Sequence, residues 1–223
     1  MSTQYSVHHH RESYTILPLH EHKLCFVLHQ KSANTYVKTL IKKAQGKKFI
    51  DKRILNWDWE FLYPWEIPED YYTVSVVRDP IERVKSLYAD KFLGKGVAKD
   101  LADIGYRHDM SFEEYTTLVC HQADRVIEKH LRQQTFSMYH NGKRVVDKIF
   151  KVETVNWDDF AENIFEKTGL YLDTSEAPVN QGKDRNKQKV EKMMTPEILD
   201  KLLIRYQDDI NLLGYFKWYQ NKE

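Results

Sequence analysis

The chain has 223 residues, 41% hydrophobic and 30% charged, with a net charge of +1, the profile of an ordinary soluble globular protein. So neutral a balance gives no global attraction to nucleic acid or a membrane surface, and any anion site must be local. With no apolar run of transmembrane length, no signal-like apolar N-terminus and two cysteines, Cys25 and Cys120, the expectation is a reducing cytoplasm and buried structural thiols.

Residues 1–22 are polar and His-rich and read as a loose lead-in, and a single domain is expected over 23–223. HHH at 8–10 has no second ligand cluster to make a metal site, and no metal is expected. LCFVLH (24–29) is a continuous apolar run of strand length, suited to a strand covered on both faces. Thr35 to Gln45 predicts a helix with Tyr36, Val37, Leu40 and Ile41 as its apolar stripe and Gly46 beyond its end. A short strand near Phe49 and irregular chain to residue 70 follow. YYTVSVV (71–77) is the second clear strand, stopped by Asp79-Pro80 at the start of a helix to about Leu93.

Ser111 and Glu114 form a capping box for a helix to about Gln122, and a further helix is expected over Asp124–Gln134. Asn141-Gly142 marks a turn, and VVDKIFKVE (145–153) a third strand. Asn156 and Gly169 bracket a helix from Trp157 to Thr168. Residues 173–192 read as a polar, basic loop, and Thr195-Pro196 opens a last helix to Leu213. Strands alternating with helices predict an α/β fold with a mostly parallel central sheet flanked by helices. Ligands in such sheets sit at the carboxyl ends of the strands, where HQKSANT and RDP fall.

QKSANT (30–35) joins a strand to a helix N-terminus, where unpaired backbone N–H groups and the helix dipole favour an anion. Ser32, Asn34 and Thr35 add donors and Lys31 a charge. The stretch lacks the glycines and the late lysine of GxxxxGK[ST], which makes a nucleoside triphosphate with Mg²⁺ a poor fit. A well-capped strand–helix turn would leave the same pattern. In VVRDPIERVKSLYADK (76–91), Arg78 and Ser86 are eight residues apart and reach one group if the helix folds back over the strand end. A surface helix neutralised by Asp79 and Glu82 is the plainer alternative. Two anion sites on adjacent strand ends suit a ligand with two separated phosphate groups.

These two stretches resemble the sulfotransferases that use 3'-phosphoadenosine 5'-phosphosulfate (PAPS), above all the carbohydrate sulfotransferase branch. Gln30 to Thr35 stands for the family's PK(T/S)(G/A)(T/S)(T/S), with Gln30 and Asn34 as departures. Arg78, Asp79, Pro80, Arg83, Ser86 and Tyr88 complete R(D/N)PxxRxxSxY. His130 and Gln134 resemble its His-x-x-x-Gln element, Glu153 its strand-terminal Glu, and APVN (177–180) with residues 195–215 its C-terminal loop and helix.

The resemblance implies a P-loop NTPase-like fold and transfer of a sulfuryl group from PAPS to an acceptor hydroxyl, of a saccharide in that branch, with no metal. It implies that Lys31, Ser32, Ala33, Asn34, Thr35 and Tyr36 bind the phosphosulfate and Arg78 and Ser86 the 3'-phosphate. Lys183 and Arg185, in the basic stretch 181–189, would close over the nucleotide or meet an anionic acceptor. Lys31 would also stabilise the charge that builds on the leaving phosphate. For the general base, Asp58 and Glu60 fall where relatives place theirs, and His130 is the third candidate. No His lies within 37–77, where several relatives carry one. A small-molecule kinase on a related phosphate-loop fold, and a PAP-binding relic without catalysis (PAP being adenosine 3',5'-bisphosphate), remain alternatives.

Overall fold

The computed structural model describes residues 15–46, 59–97, 99–176, 184–216 and 219. The expected strand near Phe49, HHH (8–10) and APVN (177–180) lie outside the described residues. The chain divides into two compact units, Met1–Val77 with Ser137–Val179 and Arg78–Phe136 with Asn180–Glu223.

The first unit is built on a four-stranded sheet. Strands β1 (Ile16–Leu19), β2 (Leu24–Leu28), β3 (Tyr72–Val77) and β4 (Lys148–Lys151) stand side by side in that order. β2, β3 and β4 are parallel, with Leu28 opposite Val76 and Val77 opposite Lys151. β1 is antiparallel to β2 and lies inside the stretch expected as a lead-in. Its Pro18, which has no N–H to donate, is tolerated because β1 ends the order of the sheet. Helices α1 (Asn34–Ala44) and α4 (Trp157–Thr168) pack on one face. Alternate strand residues Leu24, Phe26, Leu28, Val74 and Val76 meet Tyr36, Val37, Leu40 and Ile41 of α1 and Phe160 and Ile164 of α4. Asn156 caps α4 by accepting from Asp158 N–H, and Gly169 closes it at φ 71°. Asn141 (φ 50°) and Gly142 (φ 74°) make the two-residue turn of a small ribbon. The third strand is shorter than expected. Before it, Asp147 satisfies Thr73 by donating its N–H to the Thr73 carbonyl and accepting the Thr73 N–H on Oδ2.

The second unit is helical: α2 (Pro80–Asp90), α3 (Phe112–His121), α5 (Asp184–Glu191), α6 (Pro196–Arg205) and α7 (Gln207–Leu212). Asp79, Ser111 and Thr195 cap α2, α3 and α6, and the capping box of Ser111 and Glu114 is formed. α2 passes into a π turn over Lys91–Lys95 and stops at Gly96, φ 92°. The expected continuous last helix breaks at Tyr206, whose buried hydroxyl donates to the Leu131 carbonyl.

Two other expectations are corrected here. Residues 124–134 are turns and not a helix, because side chains take over the backbone groups a helix would pair. Arg132 donates to the carbonyls of Asp124 and Ile127, Asp124 accepts from Gln133 N–H, and Glu128 accepts from His130 N–H. Residues 184–191, expected as loop, form α5. Asn186 donates to the carbonyls of Ala89 and Leu93, Glu191 pairs with Lys85, and Val190 is buried.

Among the described residues no helix is long and apolar enough to cross a membrane. Phe160 is fully buried against Phe26, Phe150 and Trp157. Phe160→Ala should therefore cost about 3–5 kcal/mol of unfolding free energy, read from urea denaturation.

Candidate functional site

The three parallel strands all leave the sheet at the same edge. β2 runs into His29-Gln30-Lys31, β3 into Arg78, and β4 into a turn carrying the half-buried Glu153. Glu153 stands two residues past the strand it was expected to end.

In the first unit, the β2–α1 connection is a tight turn in which Ser32 N–H donates to the His29 carbonyl. Lys31 and Ala33 both adopt the left-handed conformation, at φ 64° and 55°. For residues with a Cβ that costs about 1–2 kcal/mol each. Turns of this kind aim successive N–H groups into one concavity, the arrangement that binds anions. Ala33 is the N-cap of α1 and supplies no side-chain cap, whereas α2, α3, α4 and α6 all have one. The first N–H groups of α1, at the helix's positive end, thus receive no cap from the side chain of their N-cap residue. Ser32 and Asn34 are buried, and Thr35 is half-buried. Asn34 Oδ1 has no hydrogen-bond partner among the described residues, a state that buried polar atoms rarely tolerate without a ligand or water.

In the second unit, Arg78 directly precedes the Asp79 cap of α2. Its guanidinium lies along the helix, with Nη2 3.7 Å from Glu82 Oε2. Glu82 and the half-buried Ser86 are spaced i, i+4 on α2, and Arg78 reaches Glu82 from just before the cap. Glu82 also pairs with Lys85, which in turn meets Glu191. The Arg78 main chain is fixed by Gln134: its N–H donates to Oε1 at 2.9 Å, and its carbonyl accepts from Nε2 at 2.8 Å.

A family model described as "Sulfotransferase family" matches residues 15–216. The chain belongs to the sulfotransferase family. This family transfers sulfuryl groups and generally takes PAPS as co-substrate. No curated protein and no solved structure matches the chain. The match begins at residue 15, so it takes in β1, which the motif resemblance left out.

Not every residue expected in the sulfotransferase site stands there. Glu60 is corrected. Leu62 bridges Ile16 in antiparallel register, so Glu60 runs back toward the end of β1. Trp59 and Phe61 turn inward under Lys42 and Lys38, and Glu60, between them, turns outward. Its carboxylate is exposed and meets His20 Nε2 at 3.1 Å, while His20 Nδ1 is 2.7 Å from the Tyr71 hydroxyl. His20 and Tyr71 stand at the amino ends of the strands. The length of β2, about 13 Å, separates them from the Lys31 turn, too far for a base acting there. Tyr36 is also corrected as a side-chain ligand: it is buried, packs edge-on to Trp157 and donates to the Glu176 carbonyl. Asp58 and Lys183 lie outside the described residues, and Arg185 falls on α5. Among the described residues no group of three or more His, Cys, Asp or Glu is placed to hold a metal ion.

His130 and Arg83 have roles that their spacing did not reveal. His130 Nδ1 lies 2.7 Å from both oxygens of Glu128. A proton on Nδ1 donated to that carboxylate leaves Nε2 as a free-lone-pair acceptor. The signal for this pair was the E-x-H at 128–130. Arg83, invariant in the motif pattern, is fully buried. It donates to the carbonyls of Arg132 and His130 and lies 3.9 Å from Asp209, so it braces the 130–132 stretch. Burial disfavours both charges, pulling Arg83 down and pushing Asp209 up, and each offsets that cost for the other.

Two measurements follow from this geometry. Ala33→Val puts a β-branched residue at φ 55° and should lower stability by about 1–2 kcal/mol in urea, whereas Ala33→Gly should hold or raise it. A Val variant as stable as wild type would contradict the left-handed turn. The second concerns pH. Burial opposes the charge on Asp124, but hydrogen bonds from Arg205 and Gln133 outweigh it; likewise His130 outweighs burial at Glu128. Both carboxyls therefore stay below their usual range and bind fewer protons folded than unfolded. Their stabilisation is complete above the unfolded carboxylate values of about 4 and is lost as pH falls through the lower folded values. The urea midpoint should drop between about pH 5 and pH 3, and less steeply in Asp124→Asn.

Proposed function

We propose that this chain transfers a sulfuryl group from PAPS to an acceptor hydroxyl, in the first instance that of a carbohydrate. The observation that carries the reading is the uncapped start of α1, preceded by two left-handed non-glycine residues at the carboxyl end of β2. It is the kind of cradle that a phosphosulfate requires, and it needs neither glycines nor Mg²⁺. Arg78, just before α2, and Ser86, on it, supply donors suited to a 3'-phosphate. The carbohydrate acceptor rests on the resemblance of the two motifs to that branch.

In this reading the N–H groups of residues 32–35 and the Lys31 ammonium receive the 5'-phosphosulfate. Arg78 and Ser86 receive the 3'-phosphate. The acceptor oxygen forms a bond to sulfur as the bond from sulfur to the 5'-phosphate oxygen breaks, and PAP departs. Negative charge grows on that bridging oxygen, where Lys31 stabilises it. The acceptor proton passes to His130 Nε2, with Glu128 holding the ring and stabilising the imidazolium. Lys183 and Arg185 are assigned to the nucleotide or to an anionic acceptor.

Calorimetric titration of PAP, with ATP·Mg²⁺ in parallel, tests the donor. PAP should bind, Arg78→Ala should lose that binding, and ATP·Mg²⁺ should bind weakly. A clear preference for ATP·Mg²⁺ would point to a kinase instead. His130→Ala should lower kcat by about a hundredfold or more while leaving the Kd for PAP unchanged. Full activity in that variant would remove His130 as the base.

A further inference from the structure

Arg78 stands just past the last ladder position of β3. Val77 still belongs to the sheet, its carbonyl accepting from Val152 N–H. At Arg78 the neighbouring strand is replaced by one side chain. Gln134 takes the N–H and serves the carbonyl of Arg78, the same pair of bonds a β-strand neighbour would make. Gln134 is itself fully buried and tightly held. Asp209 Oδ2 accepts from its backbone N–H at 2.9 Å and from Nε2 at 3.3 Å. Asp209 Oδ1 accepts the N–H and the hydroxyl of Thr135. The carboxylate at the end of this chain also faces Arg83.

An arginine reaching for a phosphate can swing through several angströms on its own rotamers. The direction in which it starts is set by its main chain, which here is held by two hydrogen bonds to Gln134. We propose that Gln134, held by Asp209, is a positioning residue that sets where the Arg78 guanidinium meets the 3'-phosphate of the nucleotide. This rests on the reading of Arg78 given above. Gln134 does not touch the ligand. Its buried amide fixes both the backbone and, through the carboxylate of α7, the distance of Arg78 from the core of its unit. The second half of the His-x-x-x-Gln element thereby has a physical task that is separate from that of His130.

A residue that merely supports the fold would weaken every ligand alike. One that aims Arg78 acts on the 3'-phosphate alone. The full chain is therefore titrated with PAP and with AMP, which shares the adenosine and the 5'-phosphate and lacks the 3'-phosphate. Wild type, Gln134→Met and Gln134→Asn are compared. Both variants should lose about tenfold or more in PAP affinity, the size of a misplaced charge-assisted bond, and about twofold or less in AMP affinity. Equal losses for the two ligands, or an unchanged PAP to AMP ratio, would overturn the inference. A variant that fails to fold does not end the test, because wild type carries a second readout. The Arg78 amide should exchange with deuterium slowly in the absence of nucleotide; exchange at the rate of an open turn would overturn the inference as well. Wild type that binds no PAP would overturn the proposed function itself, and this inference with it.

Discussion

Parallel pairing of β2, β3 and β4 is the constraint on which the rest depends. A parallel strand cannot return by a tight turn, so every chain exit falls on the same edge and every connection must be long. The turn at Lys31, the start of the Arg78 motif and the turn at Glu153 are brought to neighbouring strand ends by that pairing alone. The antiparallel pairing of β1 and the bridge from Leu62 to Ile16 put Glu60 and His20 at the opposite edge, beside Tyr71, however well Glu60 matches a catalytic position in the sequence. The Lys31 turn and the Glu153 turn thus share one edge of the sheet before any side chain is considered.

Conformational cost is concentrated at that edge. Four described non-glycine residues have positive φ, and two of them, Lys31 and Ala33, lie within three positions of each other in the anion turn. Ala33 gives no side-chain cap, and among the described residues the buried Asn34 Oδ1 has no partner. Asp79, Ser111, Asn156 and Thr195 cap α2, α3, α4 and α6, while α7 follows Tyr206 without a side-chain cap. A strained turn that leads into an uncapped helix start is the pattern of a binding loop that the scaffold holds in place.

What was legible in the sequence follows the range of the forces involved. Signals carried by a few adjacent residues were read correctly: the Asn156 and Gly169 bracket, the capping box at Ser111, the Asn141-Gly142 turn and the apolar stripe of α1. Features decided at a distance were not. β1 is four residues long and contains a proline, so its own residues give a weak strand signal, and it is fixed by antiparallel pairing with β2 and the bridge from Ile16 to Leu62. The 124–134 segment has helical spacing, but Arg132, Asp124 and Glu128 claim its backbone. α5 is polar apart from the buried Val190 and is held by Asn186, which donates to the Ala89 and Leu93 carbonyls, and by Glu191, which pairs with Lys85 of α2. In the site, the motif letters were visible and their division of labour was not. Arg83 enters the motif only as a letter, and its burial makes it a brace. Asp209 has no sequence signature at all, since it matters only through what folds around it.

Glu82 adds one consequence for selectivity. Its carboxylate sits between Arg78 and Lys85, so the cationic face of α2 already has an anion of its own. A chloride or a single inorganic phosphate arriving there must compete with a tethered rival whose local concentration is very high. On the proposed reading of Arg78, a nucleotide anchored elsewhere by its other end competes on equal terms, because its own phosphate is tethered too. Such a face would select by attachment as well as by charge.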